Sequence, residues 1–215
     1  MKTGILGGTF NPIHLAHLRI AEEVREHCDL DRVLFLPAAT PPHKEVAQAV
    51  SFELRLAMVE AAIAGHPGFS ACTIEKNHPG KNYSVNTLEQ LQQEYPADEF
   101  YFIIGLDSFR DLPSWKDYQK LFTLTHLVVA TRPGIEAPDP AGLLPIAVQN
   151  QFCYSCSLKK WRHRSGKSLI FLQETRLDIS STEIRELVAK GRSIRNLVPP
   201  QVADLIEHHG LYRAD

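Results

Sequence analysis

Near the start of the chain, the apolar run Thr3 to Leu6 enters Gly7-Gly8-Thr9-Phe10-Asn11-Pro12-Ile13-His14-Leu15-Ala16-His17. Two adjacent glycines let the backbone come close to a ligand and aim N–H groups at an anion. A helix beginning beside His14 adds the positive end of its dipole. His14 and His17 are three residues apart and so share one helix face near that end. The chemistry on offer is hydrogen-bond donation to phosphate oxygens. Neither the lysine-bearing phosphate loop nor the GxGxxG dinucleotide turn is present. A plain strand-to-helix turn with two surface histidines is the structural alternative, but packing alone gives no reason for two imidazoles there.

Other stretches carry similar chemistry. Asp178-Ile-Ser-Ser-Thr-Glu-Ile-Arg185 opens a helix. Ser180 with Glu183 fits a capping box, which accounts for neither Thr182 nor an arginine one turn in. Pro41-Pro42-His43-Lys44 is a stiffened turn with a cation, which an ordinary exposed loop would also explain. Asn82-Tyr83-Ser84-Val85-Asn86-Thr87 precedes a short helical pattern, and Asn86 suits a helix cap. Ile104-Gly105-Leu106-Asp107-Ser108 ends the strongest strand of the chain. Asp107 there suits hydroxyl binding or a helix N-cap, and Trp115 suits ring stacking or simple packing. No Ser-His-Asp or Cys-His pairing suggests an activated nucleophile.

The elements that must position these residues alternate. Strands are expected at Thr3–Leu6, Arg32–Leu36, Phe69–Ile74, Phe100–Gly105, His126–Ala130 and Leu169–Leu172. Helices are expected at about His14–Glu26, Phe52–Ala64 with Ser51 as N-cap, Asn86–Tyr95, Ser181–Lys190 and Pro200–His208. The pattern predicts an α/β fold: a doubly wound parallel sheet with helices on both faces and the ligand at the carboxyl ends of the strands. One domain is expected over 1–215, with an irregular surface excursion at about 133–168 and a C-terminal helical segment at about 180–212. The basic run Lys159 to Arg164 reads as solvated loop in that excursion.

Composition narrows the class. Of 215 residues, 44% are hydrophobic and 22% charged, as in ordinary globular proteins, and the net charge is -2. That balance argues against nucleic acid or an anionic membrane as partner. No apolar run is long enough to span a membrane or serve as a signal peptide, so a cytoplasmic chain with reduced cysteines is expected. Cys153-Tyr-Ser-Cys156 lacks the further ligands of a zinc knuckle.

Gly-Gly-Thr-Phe-Asn-Pro-Ile-His-x-x-His resembles the signature of the HxGH nucleotidyltransferase superfamily, with Ala16 where a glycine is usual. Asp178 to Arg185 resembles its second phosphate motif. The Pro41–Lys44 loop, the Tyr83 segment, the Gly105–Asp107…Trp115 pattern, Arg132-Pro133-Gly134 and the His209-Gly210-Leu211-Tyr212 ending resemble the bacterial nicotinate-nucleotide adenylyltransferase branch. Ser84 and Asn86 depart from that branch, and Asn86 removes a carboxylate.

The resemblance implies transfer of the adenylyl group of ATP to nicotinate mononucleotide, with release of pyrophosphate. It implies His14, His17, Lys44 and Arg185 as the catalytic groups. ATP would be held by Gly7, Gly8, Thr9, Phe10, His14, His17, Gly105, Asp107, Ser180, Ser181, Thr182 and Arg185. The mononucleotide would be held by Thr9, Asn11, Lys44, Tyr83, Ser84 and Trp115. Mg²⁺ would be held mainly by substrate phosphates, with no protein metal cage, and a homo-oligomer is compatible with all of this. Alternatives are an enzyme of the same superfamily with another acceptor, such as the amide mononucleotide, and a nucleotide sensor without catalysis. The joint presence of His14, His17, Lys44 and Arg185 argues against the sensor.

Overall fold

Alternating burial in the central strands builds two cores from one sheet. In β1 (Lys2–Gly8), Leu6 faces one side and Ile5 the other. The same alternation runs through the neighbouring strands, because successive side chains point to opposite faces. The computed structural model describes residues 1–39, 50–76, 82–131, 140–158, 160–172 and 177–214.

After β1 come α1 (Leu15–His27), β2 (Arg32–Pro37), α2 (Phe52–Ile63), β3 (Phe69–Ala71), α3 (Ser84–Glu94) and β4 (Glu99–Gly105). The chain continues through α4 (Leu106–Arg110), a 3₁₀ turn at Leu112–Ser114, α5 (Tyr118–Leu124) and β5 (His126–Ala130). Short helices α6 (Pro140–Leu143) and α7 (Ile146–Gln149) lead to β6 (Phe152–Ser155), β7 (Lys160–His163) and β8 (Ser168–Leu172). Then α8 (Ser181–Ala189) and α9 (Pro200–His208) follow. Among the described residues, no helix is long and apolar enough to cross a membrane.

The sheet order is β3-β2-β1-β4-β5-β8-β7-β6. The first six strands pair in parallel, and β7 and β6 continue the edge antiparallel. One face is covered by α1, α2, α8 and α9 through residues such as Val24, Met58, Ile184 and Val202. The other is covered by α3, α4 and α5 through Leu88, Phe109 and Leu121. This is the expected doubly wound sheet, with order reversing between β1 and β4.

Several boundaries shift for local reasons. Ser51 caps α2 as expected, its Oγ accepting the Leu54 N–H at 3.2 Å. Helix α3 begins at Ser84 with Tyr83 as N-cap, so Asn86 lies inside the first turn and caps nothing. Asp107 is likewise inside α4, whose N-cap is Gly105. The expected strand over Phe69–Ile74 stops at Ala71.

The excursion is more ordered than the sequence suggested. Its basic run is not loop but strand β7, paired to β8 through Trp161↔Leu169 and Arg162↔Ser168. Period-2 alternation explains this: His163 is buried against Phe122 and Phe152 while Arg162 faces solvent. The density of positive charge hid that alternation. Cys153 and Cys156 are unpaired and exposed, in keeping with plain thiols.

Candidate active site

The carboxyl ends of the central strands frame a cavity of about 470 Å³. β1 contributes Gly7 and Gly8, β2 is followed by Ala38, β4 ends at Gly105, and Thr131 follows β5. This is the switch point at which open α/β sheets bind ligands.

On one side stand the histidines. His14 is the N-cap of α1 and only 4% exposed. Its backbone N–H donates to Nδ1 of His17 at 3.3 Å. The two rings stack with centroids 3.7 Å apart, and the Phe10 ring meets His17 edge-on at 5.0 Å. A backbone N–H can donate only to an unprotonated Nδ1, so the proton of the neutral His17 ring sits on Nε2. His17 is thereby an oriented donor beside the Gly7–Gly8 backbone. Gly8 lies close against the buried Phe10 ring: a Cβ there would come within 3.2 Å of it and push the ring by a few tenths of an ångström.

The other side is built from α3 and the segment after β4. Tyr83, Ser84, Asp107 and Trp115 all line the cavity. Trp115 packs edge-on to Phe102 at 6.4 Å, which leaves it partly exposed. A Cβ on Gly105 would meet nothing within 4 Å, so the end of β4 is open to a ligand.

The loop between the two glycines and α1 is gripped from behind. Phe10 has φ +48°, the left-handed region that non-glycine residues occupy at a cost of order 1–3 kcal/mol. Surrounding contacts hold it there. Arg185 Nη1 donates to the Asn11 carbonyl at 2.8 Å, and its Nη2 to Thr182 Oγ1 at 3.3 Å. Ser181 Oγ donates to the Pro12 carbonyl at 2.8 Å, and Tyr212 OH to Asn11 Oδ1 at 2.6 Å. Burial pushes the Tyr212 phenol well above its usual range, so it stays a donor. Arg55 Nη1 donates to the Thr9 carbonyl at 2.7 Å.

The structure thus brings ten of the expected residues to one cavity: Gly7, Gly8, Thr9, His14, His17, Tyr83, Ser84, Gly105, Asp107 and Trp115. It places Phe10, Asn11, Ser180, Ser181, Thr182 and Arg185 outside that lining. Phe10 and Asn11 are buried supports of the loop. Ser180 caps α8 by accepting the Glu183 N–H at 3.1 Å, which is the capping reading of that motif. Lys44 and Arg132-Pro133-Gly134 lie outside the described residues.

Sequence reasoning missed three residues: Glu75, Lys116 and Arg55. Glu75 is a buried carboxylate in the cavity wall, accepting the Ala39 N–H at 3.2 Å and the Thr87 hydroxyl at 2.8 Å. Lys116 also lines the cavity, with its ammonium 4.9 Å from the Tyr83 ring centroid. Arg55 acts on the loop from a distant sequence position where no local motif marks it, whereas Tyr212, which also reaches the loop, belongs to the C-terminal ending that the sequence singles out. Among the described residues, no group of three or more His, Cys, Asp or Glu side chains could hold a metal ion. Glu75 is already engaged by two donors.

Comparison with known proteins adds the family. The cytidylyltransferase-like family matches residues 5–187. A probable nicotinate-nucleotide adenylyltransferase of Syntrophotalea carbinolica is 63% identical over 214 residues, covering 100% of this chain and 98% of that protein. One of Geobacter sulfurreducens is 55% identical over 215 residues, covering 100% of both. Among solved structures, the fold is similar to the Plasmodium falciparum nicotinic acid mononucleotide adenylyltransferase complexed with NaAD. That likeness has a TM-score of 0.76 at 20% identity, over 99% of this chain and 98% of that one.

Proposed function

The chain belongs to the nicotinate-nucleotide adenylyltransferases within the cytidylyltransferase-like family, and on that premise we propose how its residues carry out the family's reaction. A phosphate oxygen of nicotinate mononucleotide attacks the α-phosphorus of ATP. The bond from that phosphorus to the bridging oxygen breaks, and pyrophosphate leaves from the opposite side. The products are nicotinate adenine dinucleotide and pyrophosphate. The acceptor phosphate is already ionised, so neither a strong base nor a protein nucleophile is needed. Positioning and charge stabilisation remain.

The observation that carries the reading is one cavity with phosphate donors on one wall and a ring platform on the other. The Gly7–Gly8 backbone, His14 and His17 face the ATP phosphates. Asp107 and Gly105 meet the ribose side of a nucleotide, and Trp115 with Tyr83 and Ser84 forms the pyridine pocket. Lys116 beside Tyr83 places positive charge there, which favours the carboxylate of nicotinate over an amide. Lys44 is assigned to the phosphates by the family motif. Arg185 has five N–H donors, so it can serve the leaving phosphates while anchored to Asn11. Mg²⁺, held mainly by the substrate phosphates, would offset charge on their oxygens.

The test is pyrophosphate release from ATP and Mg²⁺ with nicotinate mononucleotide and nicotinamide mononucleotide as parallel acceptors. Clear preference for the acid is expected. Preference for the amide would overturn the pyridine pocket, and silence with both would overturn the reaction.

A further inference from the structure

Arg55 stands in the first turns of α2 and is only 3% exposed. No acidic side chain among the described residues forms an ion pair with it. Its direct partners are carbonyl oxygens: Thr9 at 2.7 Å from Nη1, and Val50 at 3.4 Å from Nε. The guanidinium also lies 5.6 Å from the Phe52 ring centroid. Burial draws its pKa below the ordinary arginine value, so the protein bears a desolvation cost to keep this charge inside. A leucine or methionine would fill the same space in α2 without that cost.

What the charge does follows from the peptide it holds. The Thr9–Phe10 peptide is trans, so its carbonyl and N–H point in opposite directions. The carbonyl points to Arg55, which is outside the cavity lining, whereas Thr9 borders the cavity. The Phe10 N–H lies on the opposite edge of this peptide from Arg55, next to the cavity-lining Thr9, and no described residue accepts a hydrogen bond from it. Phe10 itself sits at φ +48°. Its neighbouring carbonyls are held from both sides, Thr9 by Arg55 and Asn11 by Arg185. Releasing Thr9 would let that peptide plane rotate and exchange a donor for an acceptor at the wall facing the phosphates.

We infer that Arg55 is a positioning residue for adenylyl transfer: it fixes the Thr9–Phe10 peptide so that backbone donors, and the His17 ring that Phe10 braces, face the ATP phosphates. The inference rests on the reaction proposed above. It differs from a packing role because it ties Arg55 to the rate and not only to stability.

The experiment compares Arg55→Met and Arg55→Lys with the wild type and with Met58→Ala, a core change in the same helix. The readouts are kcat, KM for each substrate, ATP·Mg²⁺ affinity by calorimetry, and Tm. Arg55→Met should lose kcat by about 10²-fold, the scale of a displaced catalytic geometry. Its ATP affinity should fall by up to about tenfold, its KM for the mononucleotide should hold, and its Tm should fall no further than that of Met58→Ala, because the lost donor to Thr9 is partly offset by relief of the buried charge. Arg55→Lys should regain most of the loss by donating to Thr9 again. Met58→Ala should lower Tm and leave kcat in place. If Arg55→Met does not fold, Arg55→Gln takes its place, since its amide nitrogen reaches no further than the position of Nε. A folded Met or Gln variant with wild-type kcat and ATP affinity would overturn the assignment. So would a kcat loss no larger than that of Met58→Ala at equal Tm. If the wild type releases no pyrophosphate, the reaction fails, yet weakened ATP binding in Arg55→Met still upholds the role of the arginine and unchanged binding still removes it.

Discussion

His17 offers the sharpest test of the phosphate wall, because its two ring nitrogens have separate duties. Nδ1 accepts the His14 N–H at 3.3 Å, which leaves the proton of the neutral ring on Nε2. Stacking on His14 at 3.7 Å and the Phe10 edge at 5.0 Å hold the ring in place before substrate arrives. A donor fixed in advance costs no reorganisation as charge develops. The loss on removing it should match that of one transition-state donor, about 10²–10³ in kcat or roughly 2.7–4 kcal/mol. Two substitutions divide the ring. The Asn amide can supply an acceptor where Nδ1 sits, and the Gln amide can supply an N–H where Nε2 sits. In steady-state pyrophosphate release at saturating substrates, His17→Ala and His17→Asn should both show the full loss. His17→Gln should recover a substantial part of it. A His17→Ala enzyme with kcat within about threefold of wild type would refute the reasoning. Equal rates for the Asn and Gln variants would refute the assignment of the donor to Nε2.

Three further expectations use other parts of the fold. Trp115→Ala should raise KM for the mononucleotide roughly three- to tenfold with a smaller effect on KM for ATP; an unchanged KM would make Trp115 a packing residue. Tyr212→Phe leaves Asn11 Oδ1 without its 2.6 Å donor and should cost at least about 1 kcal/mol. For a chain of this length that lowers Tm by roughly 2–4 °C or more, and an unshifted melting curve would show that the bond contributes nothing. Asp98 receives hydrogen bonds from Thr3 at 2.7 Å and Arg32 at 3.0 Å, and an ion pair from the N-terminal amine at 3.3 Å. Burial works to raise its pKa, but these donors outweigh it and hold the carboxyl below its usual range. A depressed folded-state pKa means the stabilisation is fully present above the unfolded value near ~3.9 and is lost as pH falls through the folded one. The Tm gap between wild type and Asp98→Asn should therefore be wide at neutral pH and close on acidification; a gap independent of pH would exclude Asp98 as its source.

The site was legible where chemistry and local structure share one stretch of chain. Gly7-Gly8 ends a buried strand and His14 and His17 open the next helix, so one segment specified both the turn and the donors. The Gly105–Asp107 and Tyr83–Ser84 segments came to the same cavity because parallel strands deliver their carboxyl ends to one side of the sheet. Reading failed where two periods or two roles overlapped. The charges of Lys160 to Arg164 mask a strand alternation anchored by His163, so a strand paired on both sides reads as loop. Asn86 is a good cap by residue type, but α3 starts two residues earlier, at Ser84 after Tyr83, and position overrode propensity.

In the Asp178–Arg185 segment, residues whose pattern resembles a phosphate motif hold the fold together. Ser180 caps α8, while Ser181 and Arg185 reach across 169 and 174 residues to the Pro12 and Asn11 carbonyls. Local sequence carries no trace of those partners, since only the tertiary fold brings α8 against the loop after β1. Arg55 and Tyr212 reach the same loop from two further places, and Leu15 donates its N–H to the Leu197 carbonyl at 3.0 Å. A backbone segment that must present donors to a highly charged ligand cannot rely on its own side chains for rigidity, because its N–H groups have to be left for that ligand. Its carbonyls are what the rest of the protein can hold, and carbonyls are held by donors. Three loop carbonyls accordingly meet two guanidinium groups and a hydroxyl. On this logic Arg55, the cation buried behind the loop, serves catalysis without touching substrate, and its loss should be read in kcat before it is read in Tm.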